Sequence, residues 1–173
     1  MNRLLVPVNE NDHFQGSADA EWILVEYGDY ECPVCGQAYP IVKQLQEHLG
    51  DQLLFVFRNF PLREIHPSAE HAAEAAEFAA GYGSFWTMHD LLFENQESLE
   101  DEVLIGLAAQ IGLSASKLRR SLASEIYRGR IDLDFRGGIR SGVNGTPTFF
   151  INGVRHDGGF GFDTLLSAIA QSD

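Results

Sequence analysis

The two cysteines of this chain, Cys32 and Cys35, stand in Glu26-Tyr27-Gly28-Asp29-Tyr30-Glu31-Cys32-Pro33-Val34-Cys35. An apolar run, Trp22-Ile23-Leu24-Val25, precedes them, and a helix-like run from Gln37 to His48 follows. A Cys-x-x-Cys pair where a strand hands over to a helix marks a reversible dithiol. The reason is electrostatic. The first N–H groups of a helix have no partner within it, and the aligned peptide dipoles leave partial positive charge at that end. A thiolate at Cys32 is stabilised there, and its pKa falls below the ~8.5 of a free cysteine. Cys35, one turn on, is placed to attack a mixed disulfide formed on Cys32 and release the reduced partner.

The surrounding pattern supplies elements to hold such a pair. Residues 22–28 read as a buried strand, and Pro33 to His48 as a helix carrying Tyr39, Val42, Leu45 and Leu49 at spacings of three and four. Pro40 lies inside it and is expected to kink it. Leu53 to Phe60 is a second β run, stopped by Pro61. From Pro67 to about Ser141 the signal is helical. Pro67 starts an alanine-rich helix, Ser84 caps a helix over 85–93, and residues 101–111 form another. Ser114 caps a short helix, and Ser124 a longer one running toward Gly142. β character returns at Pro147 to Ile151, followed by the hairpin turn Asn152-Gly153, a return strand to Asp157 and a closing helix over 162–171. Residues 1–20 read as polar and irregular.

With 25 acidic against 12 basic residues the net charge is −13, which disfavours nucleic acid and anionic lipid as partners. The apolar stretches fall far short of the ~18 residues of a membrane-spanning helix. The first residues lack the long apolar core of a secretory signal, so the sequence alone predicts a cytoplasmic protein. A lone cysteine pair in a reducing compartment points to catalysis or metal binding rather than to a structural staple.

The order of elements, with the dithiol after the first core strand and Gly145-Thr146-Pro147-Thr148 before a late hairpin, resembles the thioredoxin fold. A long helical block between the two halves makes it similar to the DsbA-like thiol–disulfide oxidoreductases. The segments Tyr27 to Cys35, Phe57-Arg58-Asn59-Phe60-Pro61-Leu62 and Phe85-Trp86-Thr87-Met88-His89-Asp90 look like that family too. The resemblance implies an α/β fold, a central mixed sheet flanked by helices with an all-helical insertion. Residues 14–65 and 142–173 would form the thioredoxin-like domain, 66–141 the insertion and 1–13 an extension.

The resemblance also implies roles. Cys32 matches the attacking cysteine, Cys35 the resolving one, and Pro147 a cis-proline lying against the dithiol. Thr146, with Pro33 and Val34, would meet the substrate, its backbone pairing with an extended segment. Glu26 matches a buried acid that assists proton transfer beneath the pair. No metal or organic cofactor is implied, because the dithiol itself carries two electrons. The implied partners are protein or small-molecule thiols and disulfides and a redox partner that resets the pair, around a monomer or weak homodimer. Val34 stands where the most oxidising members carry histidine, and Asp29 and Glu31 flank the site. These neighbours predict only a modest drop in the Cys32 pKa.

Rival readings stay open on the sequence. His66 and His71, at H-x4-H spacing, could complete a two-cysteine, two-histidine zinc site, although thirty residues separate Cys35 from His66. A binding module could instead bridge a metal or cluster between chains. Glutathione-dependent transferase or isomerase chemistry is a third reading, against which Cys35 counts. Phe85, Trp86, Leu92 and Phe93 read as core, His89 as a structural histidine, and Asp132 and Asp134 as part of a solvated helix face.

Overall fold

The computed structural model describes residues 3–172. Its centre is a five-stranded mixed sheet in the order β1-β3-β2-β4-β5, built from β1 (His13–Gln15), β2 (Trp22–Gly28), β3 (Leu53–Asn59), β4 (Thr148–Ile151) and β5 (Val154–His156). β2 and β3 run parallel, joined by α1 (Pro33–Leu49), while β1–β3, β2–β4 and β4–β5 are antiparallel. Asn152 and Gly153 both take positive φ, 45° and 77°, as a two-residue hairpin turn between β4 and β5 requires.

The central strands read as continuous apolar runs because both of their faces are covered. Their side chains alternate between two cores. Leu24, Leu53, Phe55 and Phe57 join the larger one with α1 and the inserted helices, whereas Val25, Tyr27, Leu54 and Val56 join a smaller one with Phe60, Val143 and Phe150. Between β3 and β4 lie α2 (Ala69–Ala80), α3 (Phe85–Glu94), α4 (Asp101–Gln110), α5 (Ala115–Ser124) and α6 (Arg128–Arg140); α7 (Phe162–Ala170) closes the fold and contacts α1. The inserted helices α2 to α5 share their apolar core with the dithiol, and Cys32 and Cys35 belong to it.

Several sequence expectations change. The polar N-terminal stretch contains a strand, β1, paired with β3 in register His13 to Phe57. A three-residue edge strand is too short to show periodicity. It is anchored from outside the strand: Arg58, buried in β3, donates to both carboxylate oxygens of Asp12 at 2.8 Å and to the carbonyls of Val6 and Pro7. Pro67 precedes α2 rather than starting it, and Ser84 makes no side-chain cap, while Ser114 accepts from the Lys117 N–H. The last inserted helix starts at Arg128 and not at Ser124, because Glu125 takes a left-handed φ of 47° and breaks the chain direction. Pro40 lies within α1, which continues past it to Leu49.

Asp134 is not on a solvated face. It is buried, accepts the Asn59 N–H at 3.0 Å and pairs with Arg130 at 2.5 Å. Asp132 is half-buried and pairs with Arg63. Charge on a helix looks solvated in sequence until a partner from another element meets it.

Candidate active site

Cys32 is the N-cap of α1, with an extended backbone (φ −70°, ψ 119°), and Pro33 opens the first turn. Proline suits that place, since the N–H it lacks would have no helical partner. Pro33 and Val34 are exposed beside Cys32, whose own surface is 5% accessible, while Cys35 is fully buried beneath. Both are free thiols.

The loop before β4 closes the other side. The Thr146–Pro147 peptide is cis, and the Cys32 thiol lies 3.5 Å from the Thr146 carbonyl, to which it donates. The Thr146 hydroxyl is buried with no hydrogen-bond partner. Thus Cys32, Cys35, Thr146 and Pro147 meet at one place, although 114 positions separate Cys32 from Thr146.

The two sulfurs are driven apart in acidity. The Cys32 pKa falls to about 5, first because the Cys35 thiol donates to its thiolate, then because the Thr146 hydroxyl and the N–H groups of Cys35 and Val34 do so, against the opposing effect of burial. Burial pushes the Cys35 thiol well up, and its bond to Cys32 and the nearby Glu26 carboxyl add to this. The drop at Cys32 exceeds the modest one expected from sequence neighbours. Those neighbours are engaged elsewhere: Asp29 accepts from the N–H groups of Glu31 and Leu62 and pairs with His66 at 2.8 Å, and Glu31 accepts the Ser68 N–H at 2.6 Å. A carboxylate that accepts hydrogen bonds shares its charge with its donors and repels a thiolate less than a bare one.

Glu26 lies in β2, 2% exposed, between Phe57 and Phe149 in the sheet register. One of its oxygens has no hydrogen-bond partner. Burial raises its pKa from 4.5 to about 8, and the Cys32 charge adds to the rise. A carboxylic acid that keeps its proton at neutral pH next to two sulfurs can give or take that proton as the sulfurs change state.

Both histidines of the zinc reading sit on carboxylates. His66 pairs with Asp29 and His71 with Asp101, and among the described residues no cluster of three or more His, Cys, Asp or Glu could hold a metal. His89 is buried and held neutral by that burial, at 3.0 Å from the Tyr30 hydroxyl. Phe85, Leu92 and Phe93 are core residues and Trp86 packs against them. No sequence pattern pointed to Gln96, whose amide reaches the carbonyls of Tyr30 and Cys32. It lies in the polar stretch Glu94-Asn95-Gln96-Glu97, which reads only as a loop.

A family model described as thioredoxin matches residues 8–171. The chain belongs to the thioredoxin family. Its fold is that of the DsbA-like branch: oxidised BdbD from Bacillus subtilis superposes with a TM-score of 0.85 at 25% identity, over 95% of this chain and 94% of that one. Wolbachia pipientis alpha-DsbA1 gives 0.82 at 23% identity, over 97% and 93%. Among curated proteins, the Na(+)/H(+) antiporter NhaA 1 of Salinispora arenicola is 43% identical over 98% of this chain but only 26% of its own length. The protein of that name from Mycobacterium sp. strain KMS is 41% identical, over 96% and 28%. The chain spans about a quarter of the length of these curated relatives.

Proposed function

We propose that this protein is a thiol–disulfide oxidoreductase that exchanges disulfides with protein or small-molecule thiols through Cys32 and Cys35. The observation that carries the reading is the division of acidity between two sulfurs at one helix N-terminus. Cys32 is a ready thiolate at neutral pH, and Cys35 is a protected thiol. In the oxidising direction a substrate thiolate attacks Cys32 Sγ of the Cys32–Cys35 disulfide. The S–S bond breaks, and Cys35 leaves as a thiolate that takes the proton of Glu26. A second substrate thiolate then attacks the substrate sulfur of the mixed disulfide and releases Cys32 as a thiolate. Two electrons pass to the protein, with no metal or organic cofactor in any step.

Stabilising the Cys32 thiolate stabilises the reduced protein, which supports a protein that gives its disulfide away rather than one that reduces others. Thr146 and the exposed Pro33 and Val34 form the rim that a substrate segment would meet. A separate redox partner would restore the disulfide. The antiport named for the longer relatives is not carried over, since this chain corresponds to about a quarter of each and the dithiol steps need no membrane span.

Equilibration with a glutathione series, read by counting thiols, tests the proposal. The expected result is one two-electron step, with a Cys35→Ser variant that traps mixed disulfides and loses turnover. Zinc or iron bound to the purified protein in place of a redox step would favour the binding-module reading. Full turnover in Cys35→Ser would favour glutathione-dependent chemistry.

A further inference from the structure

Gln96 lies in the short connection between α3 and α4, within the inserted helices and far in sequence from the dithiol. Its side-chain amide donates to the Tyr30 carbonyl at 2.8 Å and to the Cys32 carbonyl at 2.7 Å. The Cys32 carbonyl also accepts the Gly36 N–H, the first bond of α1, at 3.1 Å, and the Cys32 N–H donates to the Asp29 carbonyl at 3.1 Å. The turn leading into the helix is therefore tied at both ends, from within and from the insertion. The other end of the amide lies against α1: a Cβ on Gly36 would stand 2.1 Å from Gln96 Oε1 and 2.9 Å from its Cδ. Position 36 is helical and takes an ordinary φ, so glycine is needed there only for the room it leaves to Gln96.

The connection itself is held in place. The Asn95 backbone and side-chain N–H groups donate to the Leu91 carbonyl at 3.0 and 2.8 Å, and Phe93 and Leu99 on either side are buried. Phe93 stacks on Tyr39 of α1 at 5.2 Å between ring centres. A donor mounted on so fixed a segment loses little freedom when it binds.

We infer that Gln96 is a positioning residue for the dithiol: by holding the Tyr30 and Cys32 carbonyls, the insertion fixes the first turn of α1 so that its N–H groups aim at the Cys32 sulfur. The physical argument is one of orientation. The Val34 and Cys35 N–H groups donate to the thiolate only while the peptide planes of the turn keep their angle. Without the amide the Tyr30 carbonyl would lose its donor and the Cys32 carbonyl would keep only the Gly36 N–H, leaving more negative partial charge at the same turn. Gln96 neutralises that charge with two N–H donors and touches neither sulfur nor substrate. The significance for turnover rests on the oxidoreductase reading above; the geometry and its test do not.

The test is a thiolate titration of reduced protein by absorbance near 240 nm, with thermal stability measured in parallel. Gln96→Ala is expected to raise the Cys32 midpoint by about one unit, a tenfold loss of thiolate preference, which lowers the potential against glutathione by about 30 mV. Gly36→Ala is the decisive companion. On helix propensity alone it should stabilise α1 and leave the titration unchanged. If Gln96 positions the turn, the added methyl displaces its amide and raises the midpoint as Gln96→Ala does. The double variant should then be no worse than Gln96→Ala alone, because the methyl fills space already vacated. An unchanged midpoint in Gly36→Ala, or in a folded Gln96→Ala, would overturn the inference. If the midpoints move as expected but the wild type exchanges no disulfide, the proposed function fails and this positioning role stands.

Discussion

Replacing Glu26 with glutamine gives the sharpest test of how this site is built, because its effect depends on pH with a definite sign. Glu26 is 2% exposed and has one unpartnered oxygen, and burial raises its pKa from 4.5 to about 8. As pH rises past 4.5 the unfolded chain releases this proton, while the folded protein keeps it until about pH 8. The folded state therefore binds more protons over that window, and its stability falls as pH rises through it. By pH 7 the gap is about 2.5 units, which at about 1.4 kcal/mol per unit costs the wild type roughly 3 kcal/mol relative to pH 4.5. Glutamine has no proton to withhold, so the variant escapes this slope. The absolute effect of the swap is less informative, since a buried amide without partners carries its own penalty of about 1–3 kcal/mol. The difference between pH values cancels that constant.

The assay is urea unfolding of wild type and Glu26→Gln from pH 4.5 to 9, both kept reduced so that Cys32 carries the charge that adds to the Glu26 rise; the cysteine titration common to the two proteins cancels in their difference. The variant should gain about 3 kcal/mol on the wild type across the lower part of that range and level off above pH 8. Parallel pH profiles for the two proteins would refute the buried neutral acid and, with it, the proton donor assigned to Cys35. A gain accompanied by slower release of Cys35 at neutral pH would show stability given up for chemistry.

Three further outcomes follow from the same geometry. The Cys32 thiolate should titrate with a midpoint near 5, with alkylation by iodoacetamide flat from pH 6 to 8 and falling below pH 5; a midpoint near the free value of ~8.5 would remove the helix-terminus argument. Thr146→Val, which deletes the hydroxyl and keeps the backbone, should raise that midpoint by about half to one unit, and no change would mean the hydroxyl does not reach the sulfur. Arg58→Met should cost about 3–5 kcal/mol in chemical unfolding by leaving Asp12 buried without its partner, whereas a loss below ~1 kcal/mol would mean the N-terminal stretch is not held through this pair.

Much of the fold was legible because its signals are local. β2 and β3 are apolar runs of a length that only strands use, α1 repeats its apolar residues every three or four positions, and Asn152-Gly153 announces its own turn. What escaped were elements whose stability comes from elsewhere in the chain. β1 exists through pairing with β3 and through Asp12 meeting Arg58. The start of α6 depends on a left-handed Glu125, a conformation no residue type there advertised. Asp134 looked like one acid among several on a polar face until Asn59 and Arg130 closed over it. At the site, Cys32 and Cys35 declared themselves by spacing, and Thr146, Pro147 and Glu26 entered through the family resemblance. Gln96 had neither signal.

The sequence by itself determined that two thiols sit one turn apart at the mouth of a helix, for spacing and helical period need nothing beyond neighbouring residues. Tertiary structure decided how strongly those thiols differ. It gave Asp29 and Glu31 hydrogen-bond partners, laid the Thr146 carbonyl against Cys32, sealed Cys35 and Glu26 from water, and brought Gln96 onto the turn. Electrostatic energies depend on distance and on exclusion of solvent, and neither is written in the order of residues along a chain.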